Sequence, residues 1–189
     1  MYPHIGFDEM HFIDYFDQTK ILREYITDQE LYDKIIRRYE NRKNNEKLFF
    51  MGITMQNHGG YTETYDNFPE NYYKVGRSYT DANQYLSLVH ESDEAVKNLI
   101  SYFSKVDDPV EIIFFGDHQP SLNSNFYPIL NGKGLTGLTE DELEKLYTVP
   151  FFIWTNYDTP EETVDITSLD YLSTMALEPV SYTHLRAHE

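Results

Sequence analysis

The sequence contains no cysteine, few cations and no long apolar run. Without cysteine the chain forms neither a disulfide framework nor a thiolate metal site, which excludes zinc-finger chemistry. Its 15 Lys and Arg residues face 32 Asp and Glu residues, and a net charge of -17 repels nucleic-acid phosphates and anionic headgroups. We therefore expect no nucleic-acid partner. Because no stretch reaches the roughly 20 apolar residues of a membrane-spanning helix, and Met1 begins no signal peptide, we expect the chain itself to be soluble.

The pattern of apolar residues predicts alternating helices and strands within one domain of 189 residues. Capping boxes at Thr27 with Glu30 and at Thr139 with Glu142 mark the starts of two of the helices. Turn residues predict a long loop from Gly59 to about Tyr73. The predicted helices cover 27–41, 81–103, 139–147 and 168–177, and the predicted strands cover 48–55, 110–115 and 149–154.

The strand predicted at Leu48–Met55 indicates the type of sheet. Its nearly continuous apolar run is typical of an interior, parallel strand that is covered on both faces. With the helix at 81–103 and the strand at 110–115, it forms a right-handed crossover unit. The predicted fold class is α/β, with a mostly parallel sheet flanked by helices.

The chain divides into a main part, residues 1–179, and a tail, residues 180–189. Pro179 is predicted to end the last helix. In the tail, His184 and His188 have the spacing of helical metal ligands, but the segment resembles translated library-adaptor sequence. We expect the tail to be non-native and leave it out of the functional interpretation.

Asp117 and His118 follow the apolar strand Ile112–Phe115 directly after Gly116. Ligands collect beyond the carboxyl ends of strands in open α/β sheets. A carboxylate oxygen with an imidazole nitrogen suits Mn²⁺, Zn²⁺ or Fe²⁺ better than Ca²⁺. The alternative is structural: the aspartate caps its own loop and the histidine binds a carbonyl group.

His58 lies between Asn57 and the pair Gly59-Gly60, after the first predicted strand. Small residues and free backbone amides favour an anion-binding role, although a structural histidine is the simpler alternative. A further possibility is that His58, Asp117 and His118 form the two-histidine, one-carboxylate triad of non-haem iron enzymes. Such sites normally lie in all-β barrels, whereas this chain is predicted to be α/β.

Several sequence segments, taken in their order along the chain, resemble those of one known protein family. The chain resembles the C-terminal part of the extracellular catalytic domain of the lipoteichoic acid synthase family, within the alkaline phosphatase and sulfatase superfamily. The resemblance covers nearly all residues before the tail. The segments that carry it are Tyr2–Asp8, Thr54–Gly60, Tyr85–Leu86 with Ser92–Ala95, Phe114–Pro120 and Pro150–Trp154.

The resemblance implies that Asp117 and His118 are two ligands of one catalytic Mn²⁺ and that His58 contacts the phosphoglycerol group. No residue of this chain matches the family's nucleophilic Thr or its Glu ligand. We therefore expect both to lie upstream of Met1, together with the parent protein's membrane helices. The parent protein is expected at the extracellular face of the cell membrane.

The implied reaction has two steps. Threonine attacks phosphatidylglycerol, releasing diacylglycerol, and a hydroxyl group of the glycolipid or polyglycerolphosphate acceptor then displaces the threonine from the phosphorus. One alternative is a sulfatase-like hydrolase of the same superfamily. The other is a non-catalytic module whose tyrosine-rich loops bind glycan or anionic polymer.

Overall fold

A computed structural model describes residues 2–44, 46–68 and 79–186. The chain divides into two compact units, Met1–Ile100 and Ser101–Glu189, which are described separately. No helix in the described ranges is long and apolar enough to cross a membrane. The elements are 3-10 helices at Tyr2–Ile5 and Ile13–Tyr15, strands β1 (Ile21–Leu22), β2 (Tyr25–Ile26), β3 (Glu111–Phe115) and β4 (Phe151–Thr155), and helices α1 (Asp28–Glu40), α2 (Thr80–Phe103), α3 (Tyr127–Asn131), α4 (Glu140–Glu144) and α5 (Leu169–Arg186).

Helix α1 confirms the prediction for residues 27–41. The Thr27 side chain accepts a hydrogen bond from the amide of Glu30, as an N-cap should. The second half of the predicted capping box is wrong. The Glu30 carboxylate instead accepts from the amide of Asp17 at 3.0 Å and lies 3.5 Å from the Lys34 ammonium group, so it ties the preceding loop to the helix.

Helix α2 was also predicted correctly, beginning one residue earlier than expected. Its apolar stripe is buried at Leu88, Ala95, Val96 and Leu99, as the periodicity of the sequence indicated. Polar side chains are buried on the same helix as well: Asn83, Gln84, Ser87 and Ser92. The buried surroundings of α2 in the first unit therefore include polar groups, and these groups need hydrogen-bond partners.

The prediction of an interior strand at Leu48–Met55 is wrong. The segment forms no strand, and several of its large side chains are exposed, Phe49 to 78% and Ile53 to 57%. An apolar strand is stable only when neighbouring strands pair with its backbone, and no strand among the described residues does so. The predicted crossover unit is therefore not formed. Residues 59–68 form turns, as predicted, and the rest of the predicted loop lies outside the described residues.

In the second unit, β3 and β4 confirm two predicted strands, but they pair antiparallel. Ile113 lies opposite Ile153, and the rings of Phe114 and Phe152 stack with centroids 5.2 Å apart. The other described sheet, β1 with β2, is a two-residue antiparallel hairpin. The structure thus has the helices and strands of an α/β chain, but the parallel sheet is not found among the described residues.

Helices α4 and α5 bear on two further predictions, the capping box at Thr139 and the helix end at Pro179. Helix α4 begins with the complete capping box that Thr139 and Glu142 predicted. Helix α5 corrects the prediction that Pro179 ends the last helix, because it continues to Arg186. A proline inside a helix removes one amide donor and often bends the helix without ending it.

Candidate functional site

Gly116 links β3 to the segment that carries Asp117 and His118. Its amide donates to the carbonyl oxygen of Pro150 at 3.1 Å, so the hydrogen bonds between the strands continue past Phe115. A Cβ atom at Gly116 would lie 3.1 Å from the Cβ of Val149. The close approach of these two backbones explains why glycine suits this position.

We expect Gly116→Ala to destabilise the protein by about 1–2 kcal/mol, because the added methyl group forces Val149 to shift. The measurement is urea unfolding followed by tryptophan fluorescence. Adding Val149→Gly, which removes the Cβ that the new methyl group would meet, should make the double substitution less costly than the sum of the two single ones. Strictly additive losses would contradict the proposed contact.

Asp117 and His118 turn their side chains towards each other. Asp117 Oδ1 accepts from the amide of His118 at 2.8 Å, and Asp117 Oδ2 lies 3.5 Å from His118 Nε2. His118 Nδ1 lies 2.9 Å from the carbonyl oxygen of Gln119. Because a carbonyl oxygen can only accept, Nδ1 carries the proton, and the lone pair of the neutral ring is on Nε2, facing the carboxylate.

This geometry has both hydrogen bonds of the structural alternative, and it still leaves two atoms that could bind a metal ion. The aspartate caps its own loop through Oδ1 and the histidine binds a carbonyl group through Nδ1, yet Asp117 Oδ2 and His118 Nε2 remain adjacent. A backbone acceptor that fixes the tautomer in this way is the usual support for a metal-binding histidine.

The distance between Asp117 Oδ2 and His118 Nε2 fits a small divalent cation bound to both atoms. Two ligands bound at about 2.1 Å lie roughly 3.0–3.4 Å apart in octahedral or tetrahedral geometry, close to the observed 3.5 Å. Both side chains are exposed. Within residues 2–44, 46–68 and 79–186 no group of three or more His, Asp or Glu side chains could hold a metal. The pair could therefore supply at most two of the four or more ligands that such an ion takes.

Gln119 fixes the other end of this loop. Its side-chain amide donates to the carbonyl oxygen of Thr148, two residues before Pro150. The loop Gly116–Gln119 is therefore bound to the segment before β4 at both ends. The sequence signal for this role was only the polar residue after His118.

In the first unit, His58 lies in a loop that we call the His58 loop, residues Gln56–Gly60. The imidazole is exposed, and its Nδ1 lies 3.2 Å from the hydroxyl oxygen of Tyr25. When that hydroxyl donates to Nδ1, the neutral ring carries its proton on Nε2 and can donate to an anion. Tyr61 closes the loop by donating its hydroxyl to the carbonyl oxygen of Asn57 at 2.7 Å.

A buried polar network holds the start of the His58 loop. Ser92 Oγ donates to Asp28 Oδ2 at 2.5 Å and accepts from Asn57 Nδ2 at 2.9 Å and from Gln56 Nε2 at 3.2 Å. Gln56 Oε1 accepts from the amide of Asp28 at 3.1 Å. This network was not predicted from the sequence; the available signal was a serine between the buried apolar residues Leu88 and Ala95 of α2.

Burial raises the pKa of Asp28, and the hydrogen bond from Ser92 opposes that shift. The carboxyl group is 3% exposed, and its Oδ1 has no hydrogen-bond partner in the described part of the chain. The ionised form is therefore costly in the folded state.

A raised folded-state pKa means that stability from Asp28 is fully present below its ordinary pKa of 3.8 and is lost as the pH rises through the raised value. Asp28→Asn keeps an oxygen that accepts from Ser92 and removes the charge. We expect the variant to gain stability relative to the wild type as the pH rises from about 4 to 7. Urea unfolding across this range is the measurement, and a difference that stays constant with pH would contradict the assignment.

His58 belongs to the first unit, and Asp117 and His118 belong to the second. A two-histidine, one-carboxylate triad would need all three residues at one ion. That triad stays a prediction, as do the separate roles of the three residues.

Comparison with known proteins supplies the family. The model of the family described as Sulfatase matches residues 1–178. The chain belongs to the sulfatase family. The match runs from residue 1 into helix α5 and so covers nearly the whole chain.

Two relatives come from Rhizobium meliloti (strain 1021). A putative cyclic beta-1,2-glucan modification protein is 26% identical over 192 residues, covering 97% of this sulfatase-family chain and 29% of the relative. The capsular polysaccharide biosynthesis protein RkpI is 33% identical over 124 residues, covering 65% of this chain and 21% of the relative. The chain thus spans less than a third of the length of these relatives. No solved structure gives a significant match.

Proposed function

We propose that this chain is part of a metal-dependent transferase of the sulfatase family that moves a phosphoglycerol group from phosphatidylglycerol to a hydroxyl group of a glycan or polyglycerolphosphate polymer. The observation that carries the proposal is the convergence of Asp117 Oδ2 and His118 Nε2, 3.5 Å apart, beyond the end of β3. The tautomer set by Gln119 is the one that leaves Nε2 free to bind a cation.

Asp117 and His118 would hold the cation, Mn²⁺ by the family resemblance, through one carboxylate oxygen and one imidazole nitrogen. When bound, such an ion neutralises charge on a transferring phosphoryl group and lowers the pKa of the nucleophile. Gly116 and Gln119 keep the two ligand side chains beside β4, because both bind the backbone next to that strand.

His58 would bind the anionic group that is transferred. Its ring is exposed, and Gly59 and Gly60 carry no side chain that would keep a substrate away. A Cβ built on either glycine would meet no atom within 4 Å, so the space around them is open. A proton on Nε2 would donate to a phosphoryl oxygen, which suits orientation and charge stabilisation.

The names of the two relatives support a sugar-containing acceptor, since one modifies a glucan and the other belongs to capsular polysaccharide biosynthesis. The resemblance implies that the complete protein lies at the extracellular face of the cell membrane, where a lipid donor would be within reach. The nucleophile would be a threonine outside this chain, as the resemblance implies.

The uncovered apolar segment 48–55 supports a role within a larger domain. Phe49, Met51 and Ile53 are more than half exposed, and such a segment is stable in water only when further strands cover it. We propose that another part of the complete catalytic domain covers this segment.

The test is a transfer assay with the full-length protein, using phosphatidylglycerol labelled in its headgroup glycerol, Mn²⁺ and a soluble glucan. We expect diacylglycerol release to match label incorporated into the glucan, and His58→Ala to reduce both. His90→Ala, which changes a half-exposed histidine on α2, is the matched control and should leave both unchanged.

Other outcomes distinguish the alternatives. Diacylglycerol with free glycerol phosphate would indicate a hydrolase, and sulfate release from an aryl sulfate would indicate a sulfatase. Glucan binding with no turnover and no dependence on Mn²⁺ would indicate a non-catalytic module. Each of these results would overturn the proposed transfer.

A further inference from the structure

Arg23 occupies a backbone conformation that normally selects glycine. It follows β1 in the two-residue turn of the β1–β2 hairpin, and its φ is 56°, the one positive φ of a non-glycine residue in the described ranges. A positive φ at only the first central residue is the pattern of a type II′ turn, where glycine is preferred. An arginine here costs about 1–2 kcal/mol of backbone strain, so its side chain must supply compensating contacts.

The guanidinium group supplies them by binding the His58 loop. Nη2 donates to the carbonyl oxygens of His58 at 2.7 Å and Gln56 at 2.9 Å, and Nη1 donates to that of Gly60 at 3.2 Å. Nη1 also donates to Gln84 Oε1 at 3.1 Å, which links the group to α2. One buried side chain thus binds three of the five residues of the loop, 33 to 37 positions away in sequence.

The surroundings keep this group in place without an acidic partner. Arg23 is 5% exposed, and its guanidinium carbon lies 5.5–5.9 Å from the ring centroids of Tyr25, Tyr61 and Tyr65. No carboxylate in the described ranges forms an ion pair with it. Its hydrogen bonds therefore go to the loop carbonyls and Gln84, which makes the loop the main compensation for burying the cation.

The carbonyl contacts also orient the amides of the loop. In a trans peptide the N–H group points opposite to the preceding C=O group. Because the carbonyls of Gln56 and His58 point towards Arg23, the amides of Asn57 and Gly59 point away from it. The His58 amide between them donates to the carbonyl oxygen of Met55 at 2.9 Å. The amides of Asn57 and Gly59, together with the exposed imidazole, are therefore groups of the loop that can donate to an anion.

We infer that Arg23 is a positioning residue that holds the His58 loop in the conformation that receives the anionic group. It acts through the loop and does not itself touch the ligand. The inference rests on the proposed function, because the ligand is the phosphoryl group assigned there to His58. Arg23 is thus a second residue on which binding of the anionic group depends, and it lies outside the segments that carry the family resemblance.

The test uses Arg23→Gly, because glycine adopts the left-handed backbone without strain while it removes the whole arginine side chain, including the guanidinium group. Binding of sn-glycerol 1-phosphate is measured by NMR titration, following the amide of Gly59 and the ring of His58. We expect the affinity to fall at least about tenfold, because a loop that is no longer preorganised must be ordered on binding. Millimolar ethylguanidinium should restore much of the loss by refilling the cavity.

Arg42→Ala is the matched control. Arg42 also lies over an aromatic ring, that of Tyr39 at 3.8 Å, and donates to the Tyr39 carbonyl oxygen, but these contacts are at the C-terminal end of α1 and not at the His58 loop. It should leave the affinity unchanged, and ethylguanidinium should have no effect on it. If Arg23→Gly fails to fold, Arg23→Lys serves instead, because one ammonium group cannot reach three carbonyls with the same geometry.

The outcomes separate this inference from the proposed function. Wild-type affinity in Arg23→Gly, with unchanged relaxation of the Gly59 amide, would overturn the positioning role even if His58→Ala abolishes binding. Failure of the wild type to bind sn-glycerol 1-phosphate would instead count against the ligand assigned to His58. The positioning role would then be judged on loop order alone, which Arg23→Gly should reduce and ethylguanidinium should restore.

Discussion

Replacing Asp117 with alanine should abolish Mn²⁺ binding at the loop after β3 and lower the transfer rate of the full-length protein about a thousandfold, because several kcal/mol of charge stabilisation are lost. Within the described residues, Asp117 Oδ2 is a carboxylate oxygen that lies 3.5 Å from His118 Nε2, a distance that suits a shared ion. Its loss also removes the Oδ1 contact that caps the loop. In the chain of 189 residues, paramagnetic broadening of the His118 amide by Mn²⁺ reports the binding.

Asp107→Ala is the matched control, since Asp107 is an exposed aspartate that precedes β3 in the same unit. It should leave the broadening at His118 intact. Broadening of equal strength in wild type and Asp117→Ala would show that Mn²⁺ does not use this carboxylate and would contradict the assignment.

Replacing Ser92 with alanine should lower the free energy of unfolding by about 2–4 kcal/mol, because one hydroxyl group serves two buried side chains and one half-buried side chain. Asp28 would lose the hydrogen bond to its Oδ2, while the side-chain amides of Gln56 and Asn57 would lose an acceptor. The loss should grow as the pH rises and Asp28 ionises, because the buried charge then has fewer partners. Urea unfolding at about pH 4 and pH 7 measures both effects.

Ser87→Ala provides the control on the same helix. Ser87 is fully buried, but its hydroxyl donates only to the carbonyl oxygen of Asn83 one turn earlier. Alanine is the better helix former, so this change should cost less than about 1 kcal/mol. If the two substitutions cost the same, the network around Ser92 contributes little to stability.

Helices α1, α2 and α4 could be predicted because their signals are local. Thr27 and Thr139 cap their helices within three residues, and the apolar stripe of α2 repeats every three to four residues. The position of Asp117 and His118 after a strand was likewise visible, because the run Ile112–Phe115 and Gly116 are adjacent to them in sequence.

The sheet could not be predicted in the same way because pairing depends on distant segments. The apolar run 48–55 fixes what could be buried, but a strand forms only where partners exist, and the described residues offer it none. The antiparallel pairing of β3 with β4 likewise depends on residues about 40 positions apart.

The side chains that hold the His58 loop could not be predicted either, because they contact it from distant parts of the sequence. Asp28 and Ser92 are 64 residues apart, and Arg23 lies 35 residues from His58. The local sequence around Arg23 indicates only a turn, because nothing there shows where a guanidinium group will point. Buried polar contacts of this kind are long-range properties of the fold.

Anomalous diffraction at the manganese edge, from crystals of the chain grown with Mn²⁺, shows whether Asp117 and His118 share a cation. We expect a peak within bonding distance of both Asp117 Oδ2 and His118 Nε2, with His118 Nδ1 still bound to the Gln119 carbonyl oxygen. A peak bound to other carboxylates, or a His118 ring turned so that Nε2 faces away from Asp117 while Mn²⁺ is bound elsewhere, would contradict it.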